Sequence, residues 1–433
     1  MIHTNAYTER PFPPSLWHAT ATPAAPDEPL QADRNVDVAI VGAGFTGLSA
    51  ALHLAQRGVN VCVLEAEQVG WGASGRNGGQ VIPGLKYDPD DIARKFGQDA
   101  DSLIELAGTA ADTVFGLIEQ FNIPCDAVRK GWIQTAHSPA MMRLVEKRAR
   151  QWERRGAPIE LLDRDAVAQR TGTRNFVGGW VDYRAGSVQP LSYARGLAAA
   201  ARNQGASIYG QTRVAALGRG GRGWTVTTQA GCKVNAERVL LATNAYSDAL
   251  WPGLRRSILA ATSYLVATKP LSAEQGRSIL EGGEVSSDSR RLLVYFRRDA
   301  DGRLVLGGRG PFSDPHSPAQ WRHVERALHL LFPQLAGVGF DYRWAGRLAI
   351  TADGLPHVHE PAPGLNVVLG YNGRGVALAT ALGKMIAWYI AAGSHSRPLP
   401  YPVTPIVRIP GHGLQRVYMA AGVAWYRLLD ALS

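Results

Sequence analysis

One stretch constrains this chain more than any other: "VDVAIVGAGFTGLSAALHLAQRGVNVCVLEAE", residues 36–67. "VDVAIV" is an apolar run that reads as a buried strand. "FTGLSAALHLAQRG" carries apolar residues at helical spacing and stops at Gly58. "VNVCVLEA" is a second buried strand. Three glycines make the first connection. Gly42 permits a tight turn, Gly44 lets backbone approach a pyrophosphate, and Gly47 lets the helix lie close on the strand. The helix N-terminus, with Phe45 and Thr46, then turns unpaired N–H groups toward phosphates. Glu65 ends the second strand, 18 residues after Gly47, where it can accept ribose hydroxyls, with Ala66 beside it. The unit is a dinucleotide-binding βαβ.

A chain of 433 residues exceeds one hydrophobic core. The predicted fold class is α/β plus antiparallel β. A Rossmann-type domain (35–123, 188–259 and 343–393) interleaves with a substrate domain (124–187 and 260–342) built on a mixed or antiparallel sheet. Residues 1–34, rich in Pro and Ala, are expected to wrap the surface. Residues 394–433 are expected to hold an amphipathic helix, "RVYMAAGVAWYRLLDALS", docked on the body or on a second subunit of a homo-oligomer.

The formal net charge is +10, carried by 7 Lys and 39 Arg against 36 acidic residues. These cations are dispersed and form no stripe, which argues against a nucleic-acid partner. Cys62, Cys125 and Cys232 form no CxxC pair and have no histidine at metal-ligand spacing, so no metal site is expected. A reducing compartment follows. With no signal-peptide pattern and no long apolar run, the expected location is cytoplasmic and no transmembrane segment is expected.

Three further segments extend the cofactor reading. "WGASGRNGGQ" (residues 71–80) holds four glycines and one arginine just past Glu65. Its backbone can lie along an extended cofactor, which favours FAD over NAD; the expected contacts are Gly72, Ala73, Ser74, Arg76, Asn77, Gly78, Gly79 and Gln80. "VLLATNAYS" ends a buried strand in small residues, with Ala242, Thr243 and Asn244 as contacts. "LGYNGRGVALATALG" runs from strand to helix and places Asn372, Gly373, Arg374, Gly375 and Val376 at a helix N-terminus. Such an N-terminus stabilises the negative charge a reduced flavin develops near N1 and the C2 carbonyl.

Together these motifs resemble the D-amino-acid-oxidase-like superfamily of FAD oxidoreductases, over roughly residues 15–433. "SLWHAT", "WAGRLAITADGLPH" and the tail "GVAWYRLLDAL" add to the resemblance. It implies noncovalent FAD, with Val214 and Gly346 as additional contacts. Arg76 stands where dimethylglycine dehydrogenases carry a flavin-linking His, and Gly346 where monomeric sarcosine oxidases carry a Cys. Leu348 takes the slot of the glycine-oxidase carboxylate Arg, with Arg347 one residue away and so on the other strand face. Ala377 replaces a sarcosine-oxidase Lys. Val305 replaces the oxygen-activating Lys, which leaves the acceptor open between O2 and another.

The implied reaction is oxidation of a small-molecule amine, of the γ-glutamylputrescine type or a related polyamine derivative. Hydride passes to flavin N5 and the imine hydrolyses to an aldehyde, with no obligatory protein base. Tyr264 and Tyr295 are the expected aromatic walls, Arg297 the partner of a distal carboxylate, and His357 a group near the flavin edge. Two alternatives stay open: an N-methylated or cyclic amino acid as substrate, or a flavin-binding subunit that needs a partner.

Overall fold

The structure, a computed structural model, describes residues 11–24, 26–221, 223–310, 314–392, 399–415, 420–422 and 425. The expected C-terminal amphipathic helix lies mostly outside these residues. The N-terminal segment does more than wrap the surface. Its short helix α1 (Leu16–Thr20) is capped by Ser15, whose Oγ accepts the His18 N–H at 3.1 Å. Leu16 and Trp17 are fully buried, and the Trp17 ring meets Trp344 edge-on at 5.7 Å. The reason is apolar area: a fully buried Leu stabilises by about 1.5–3 kcal/mol.

The predicted βαβ follows as β1 (Arg34–Val41), α2 (Phe45–Ala55) and β2 (Val61–Leu64). Then come β3 (Trp132–Ala136), β4 (Ser207–Tyr209), β5 (Lys233–Leu241), β6 (Leu259–Pro270), β7 (Val285–Asp288), β8 (Val294–Arg298), β9 (Arg303–Arg309) and β10 (Phe340–Ile350). The last elements are β11 (His357–Ala362), β12 (Leu365–Leu369) and α3 (Gly375–Ala391).

Two sheets result. The first has the order β11–β12–β5–β1–β2–β4. It is parallel from β12 to β4, and its β5 also carries the hairpin of Val214–Gly220 and Gly223–Thr228. Helices α2 and α3 cover it, and Gly383 allows their contact: a Cβ there would stand 2.5 Å from Thr46 O. The second sheet has the order β10–β6–β9–β8–β7–β3, followed by Gly178–Asp182 and Ile159–Leu162. Strand β10 pairs with β6 from Phe340 to Ile350, so by its pairing it belongs to this sheet. The domain boundary expected at 343 falls inside this strand.

Both faces of the second sheet are covered. Tyr264, Val266, Phe296 and Leu306 face the helix Arg322–Leu331. Leu265, Ala267, Val305 and Trp344 face α1 and the first layer. The loop after β2, at the C-terminal end of a parallel strand, reaches the second sheet through Gln80, and that end of the strands is the usual ligand position in open α/β folds. Among the described residues no helix is long and apolar enough to cross a membrane.

Candidate functional site

The turn after β1 is shaped by absent side chains. Gly42 has φ +107°, and a Cβ there would stand 3.0 Å from Ala242 O. A Cβ on Gly47 would stand 2.0 Å from Gly42 O, which fixes the close seat of α2. No side chain caps α2 at Gly44. Ser74 Oγ accepts the Phe45 N–H at 3.0 Å, leaving the other first-turn N–H groups for an anion. The Thr46 hydroxyl is tied to Tyr371, so this residue offers its backbone alone. Glu65 receives the N–H of Ala43 (2.7 Å) and of Glu67 (3.0 Å). Burial raises its carboxyl pKa above the ordinary value against those two bonds.

The glycine-rich loop is pinned, not pliable. Asn77 spends its side chain inside it, donating to Ala73 O and Ser74 O and accepting from Gly79 N. Trp17 Nε1 donates to Asn77 O (2.7 Å), Trp344 Nε1 to Arg76 O (3.0 Å) and Val188 N to Gly79 O (2.8 Å). Gln80 reaches the second sheet, donating to Ser286 O and Phe296 O. The glycines serve packing as well as a ligand. A Cβ on Gly78 would meet Tyr295 at 2.5 Å, one on Gly79 would meet Val188 O at 2.3 Å, and one on Gly72 would touch Tyr246 at 3.3 Å.

Arg76 sits over the Trp71 ring at 4.0 Å, and its Nε donates to Trp71 O at 2.8 Å. Its Nη2 is buried with no protein partner, as is the nearby Tyr246 hydroxyl. Burial lowers its pKa. Gly346 accommodates it, since a Cβ there would stand 3.0 Å from Arg76 Cβ.

Two asparagines shape the remaining edge. Asn244, at φ +43°, accepts Gly370 N–H at 2.9 Å, and Thr243 shares a hydrogen bond with Ser247. Asn372, at φ +52°, is bound to Thr351 and Gly370. Val214 is buried in the same apolar cluster as Ala245 and Leu241. Helix α3 opens at Gly375 and Val376 without a side-chain cap. Glycines that admit backbone, two open helix N-termini, an acid after β2 and buried unpartnered polar atoms beside the loop fit an extended flavin dinucleotide.

The four substrate-face candidates do not converge. Tyr295 does lie against the loop, its hydroxyl sharing a 2.8 Å hydrogen bond with Ser263. Tyr264 faces the other way, edge-on to Trp321 (5.3 Å) and His323 (5.7 Å). Adjacent side chains on a strand point to opposite faces, and both faces here are buried. Arg297 is no free carboxylate partner. It is 3% exposed, and its Nη1 donates to Gly79 O (3.2 Å) and Val188 O (2.6 Å). Burial pushes its pKa down to about 10. His357 stands on the edge strand β11, with Nε2 3.0 Å from Asp353 Oδ1 and its ring against His359.

Arg374 departs from its expected role in another way. Its guanidinium turns from the helix N-terminus to the second layer, 5.3 Å from the Trp132 ring, and Nη1 donates to Pro83 O. Burial lowers its pKa to about 10, with Arg148 adding to the effect. Around it lie residues the sequence reading passed over. Trp132 donates to Ser287 Oγ (2.9 Å), and Trp180 and Arg148 both donate to Gln134 Oε1. Arg148 pairs with Asp88, and Arg184 with Asp182. The available signal was the polar handle on each buried Trp, which needs a partner.

The family model "DAO: FAD dependent oxidoreductase" matches residues 37–388. The chain is 33% identical to gamma-glutamylputrescine oxidoreductase of Escherichia coli, over 96% of this chain and 98% of that one. It is 34% identical to the probable oxidoreductase OrdL of Haemophilus influenzae, over 93% and 94%. Among solved structures, glycine oxidase from Geobacillus kaustophilus superimposes with a TM-score of 0.71 at 23% identity, covering 87% of this chain and 99% of that one. L-proline dehydrogenase from P. horikoshii does so with a TM-score of 0.70 at 18% identity, covering 85% and 96%. These two likenesses concern the fold. The chain belongs to the DAO family of FAD-dependent oxidoreductases.

Proposed function

We propose that this enzyme oxidises an amine of the γ-glutamylputrescine type to an imine, which water then converts to an aldehyde and a released amine. The observation that carries this reading is the 33% identity, running over nearly the whole of both chains, to an enzyme named for that substrate. When bound, FAD would supply the redox chemistry as the hydride acceptor, and the substrate amine would give up its proton to water.

The protein's part is to bind and orient. The pinned loop, seated between the two sheets, holds the dinucleotide, and Arg76 and Tyr246 offer it buried polar atoms. FAD is held without a covalent bond, because Arg76 and Gly346 provide no linking His or Cys. Tyr295 and Trp132 line the second-sheet side with aromatic surface that excludes water and favours methylene chains. No acid–base pair is required of the protein when the substrate amine is neutral.

The test is anaerobic mixing of the holoenzyme with γ-glutamylputrescine, putrescine, sarcosine and pipecolate. The flavin absorbance is expected to bleach fastest with γ-glutamylputrescine. Bleaching by sarcosine or pipecolate alone would move the substrate to the amino acids.

A further inference from the structure

Arg374 carries a charge that the described protein leaves unbalanced. Its backbone belongs to the first layer, between β12 and α3, while its guanidinium reaches the second layer over Trp132. The Pro83–Gly84 turn closes one side. Nη1 donates to Pro83 O at 2.5 Å, and a Cβ on Gly84 would stand 3.4 Å from the same nitrogen. Gly84 also leaves room for Trp152, 3.2 Å from that Cβ position, and the Arg184 guanidinium lies over the Trp152 ring at 4.3 Å.

Five charged groups gather here: Arg374, Arg148 and Arg184 against Asp88 and Asp182. Each carboxylate already has its own cation. Arg148 binds Asp88 through Nε and Nη2, and Arg184 grips Asp182 with two bonds of 2.9 and 2.6 Å. Among the described residues no carboxylate lies within ion-pair distance of Arg374, and Pro83 O is its one hydrogen-bond acceptor. Arg374 is half-buried, so its guanidinium lies against aromatic side chains yet stays open on part of its surface, where an anion can join it. The surplus is one charge, which suits a monoanion, and the planar fork of a guanidinium matches a carboxylate. The lowered pKa of Arg374 agrees with that surplus. Apart from Arg76, whose unpartnered Nη2 is assigned to the cofactor, two other arginines near the loop are already engaged. Arg297 is spent on backbone carbonyls, and Arg347 is paired with Asp314.

We propose that Arg374 anchors a carboxylate of the substrate, so that the site takes amines bearing a carboxylate in preference to plain polyamines. This rests on the reading of the site as an amine oxidoreductase, and it names the residue that selects within that class.

The experiment uses the FAD-loaded enzyme and the variants R374Q and R374K. Glutarate, which cannot be oxidised, is titrated into the oxidised proteins and followed through the flavin spectrum. γ-Glutamylputrescine and putrescine are then compared by anaerobic flavin reduction. In R374Q the glutarate and γ-glutamylputrescine dissociation constants are expected to rise about ten- to a hundredfold, the worth of a lost charge-assisted contact. Putrescine should change less than about threefold, and R374K should recover part of the loss. An equal loss for both amines, or an unchanged glutarate constant in R374Q, would overturn the assignment. So would release of FAD from both variants, which would make Arg374 a structural tie between the layers. Glutarate binding that depends on Arg374, in an enzyme that no amine reduces, would keep the anchor and remove the proposed reaction.

Discussion

Arg76 shows how far a single residue can be read. Its place in a glycine-rich loop after Glu65 marks it as a cofactor neighbour. Its stacking on Trp71 and its unpartnered Nη2 depend on residues far along the chain, Gly346 and Trp344 among them. Replacing Arg76 with Ala removes a buried charge-assisted donor, worth about 1.5–3 kcal/mol. FAD affinity is therefore expected to fall at least about tenfold, measured by flavin fluorescence on dilution. Unchanged retention would leave the loop a packing element only. Gly42 and Gly47 were legible because each answers a local backbone demand, a φ of +107° and the nearby Gly42 carbonyl, whereas Gly44 makes room for Ser74 in the next loop. Arg297 was not, since nothing in "VYFRR" says which arginine turns inward.

At the scale of elements, the βαβ opening was legible because strands buried on both faces leave unbroken apolar runs. The orientation of Tyr264 and Tyr295 was not. A sheet covered on both faces shows no polar alternation to mark one side as the site. Helix α2 carries a buried titratable group, His53. Its Nδ1 lies 2.7 Å from Ser49 O, and burial lowers its pKa to about 4, with Lys384 and Arg57 adding repulsion. The unfolded chain, with a value near 6.5, therefore binds the proton first. Stability from this group is complete above pH 6.5 and lost as pH falls toward 4, by about 3 kcal/mol in the limit. Melting temperatures of the wild type and His53→Gln at pH 7 and pH 4.5 should show the gap between them narrowing in acid. A gap independent of pH would exclude a neutral buried His53.

Across the whole molecule, Arg297 ties the layers together. It joins β8 to the backbone of both Gly79 and Val188 from the interior. Arg297→Met keeps much of the volume but leaves the buried Val188 carbonyl without its donor, at about 1–3 kcal/mol, and leaves Gly79 O with the Val188 N–H alone. The loop should loosen before either sheet does. On heating, flavin fluorescence is expected to appear several degrees below its wild-type onset, ahead of the loss of circular dichroism. Simultaneous loss of both signals at the wild-type temperature would remove this role.

The loop at residues 71–80 also bears on how the enzyme is made. Its carbonyls are held by Trp17 and by Trp344, and those two rings meet each other. One wall is therefore synthesised 327 residues before the other, since Trp17 precedes Trp344 by that distance along the chain. The βαβ unit emerges early, yet the loop beside it has no second wall until then. Capture of flavin in the described form must wait for Trp344, and a nascent chain arrested before residue 344 should emerge colourless.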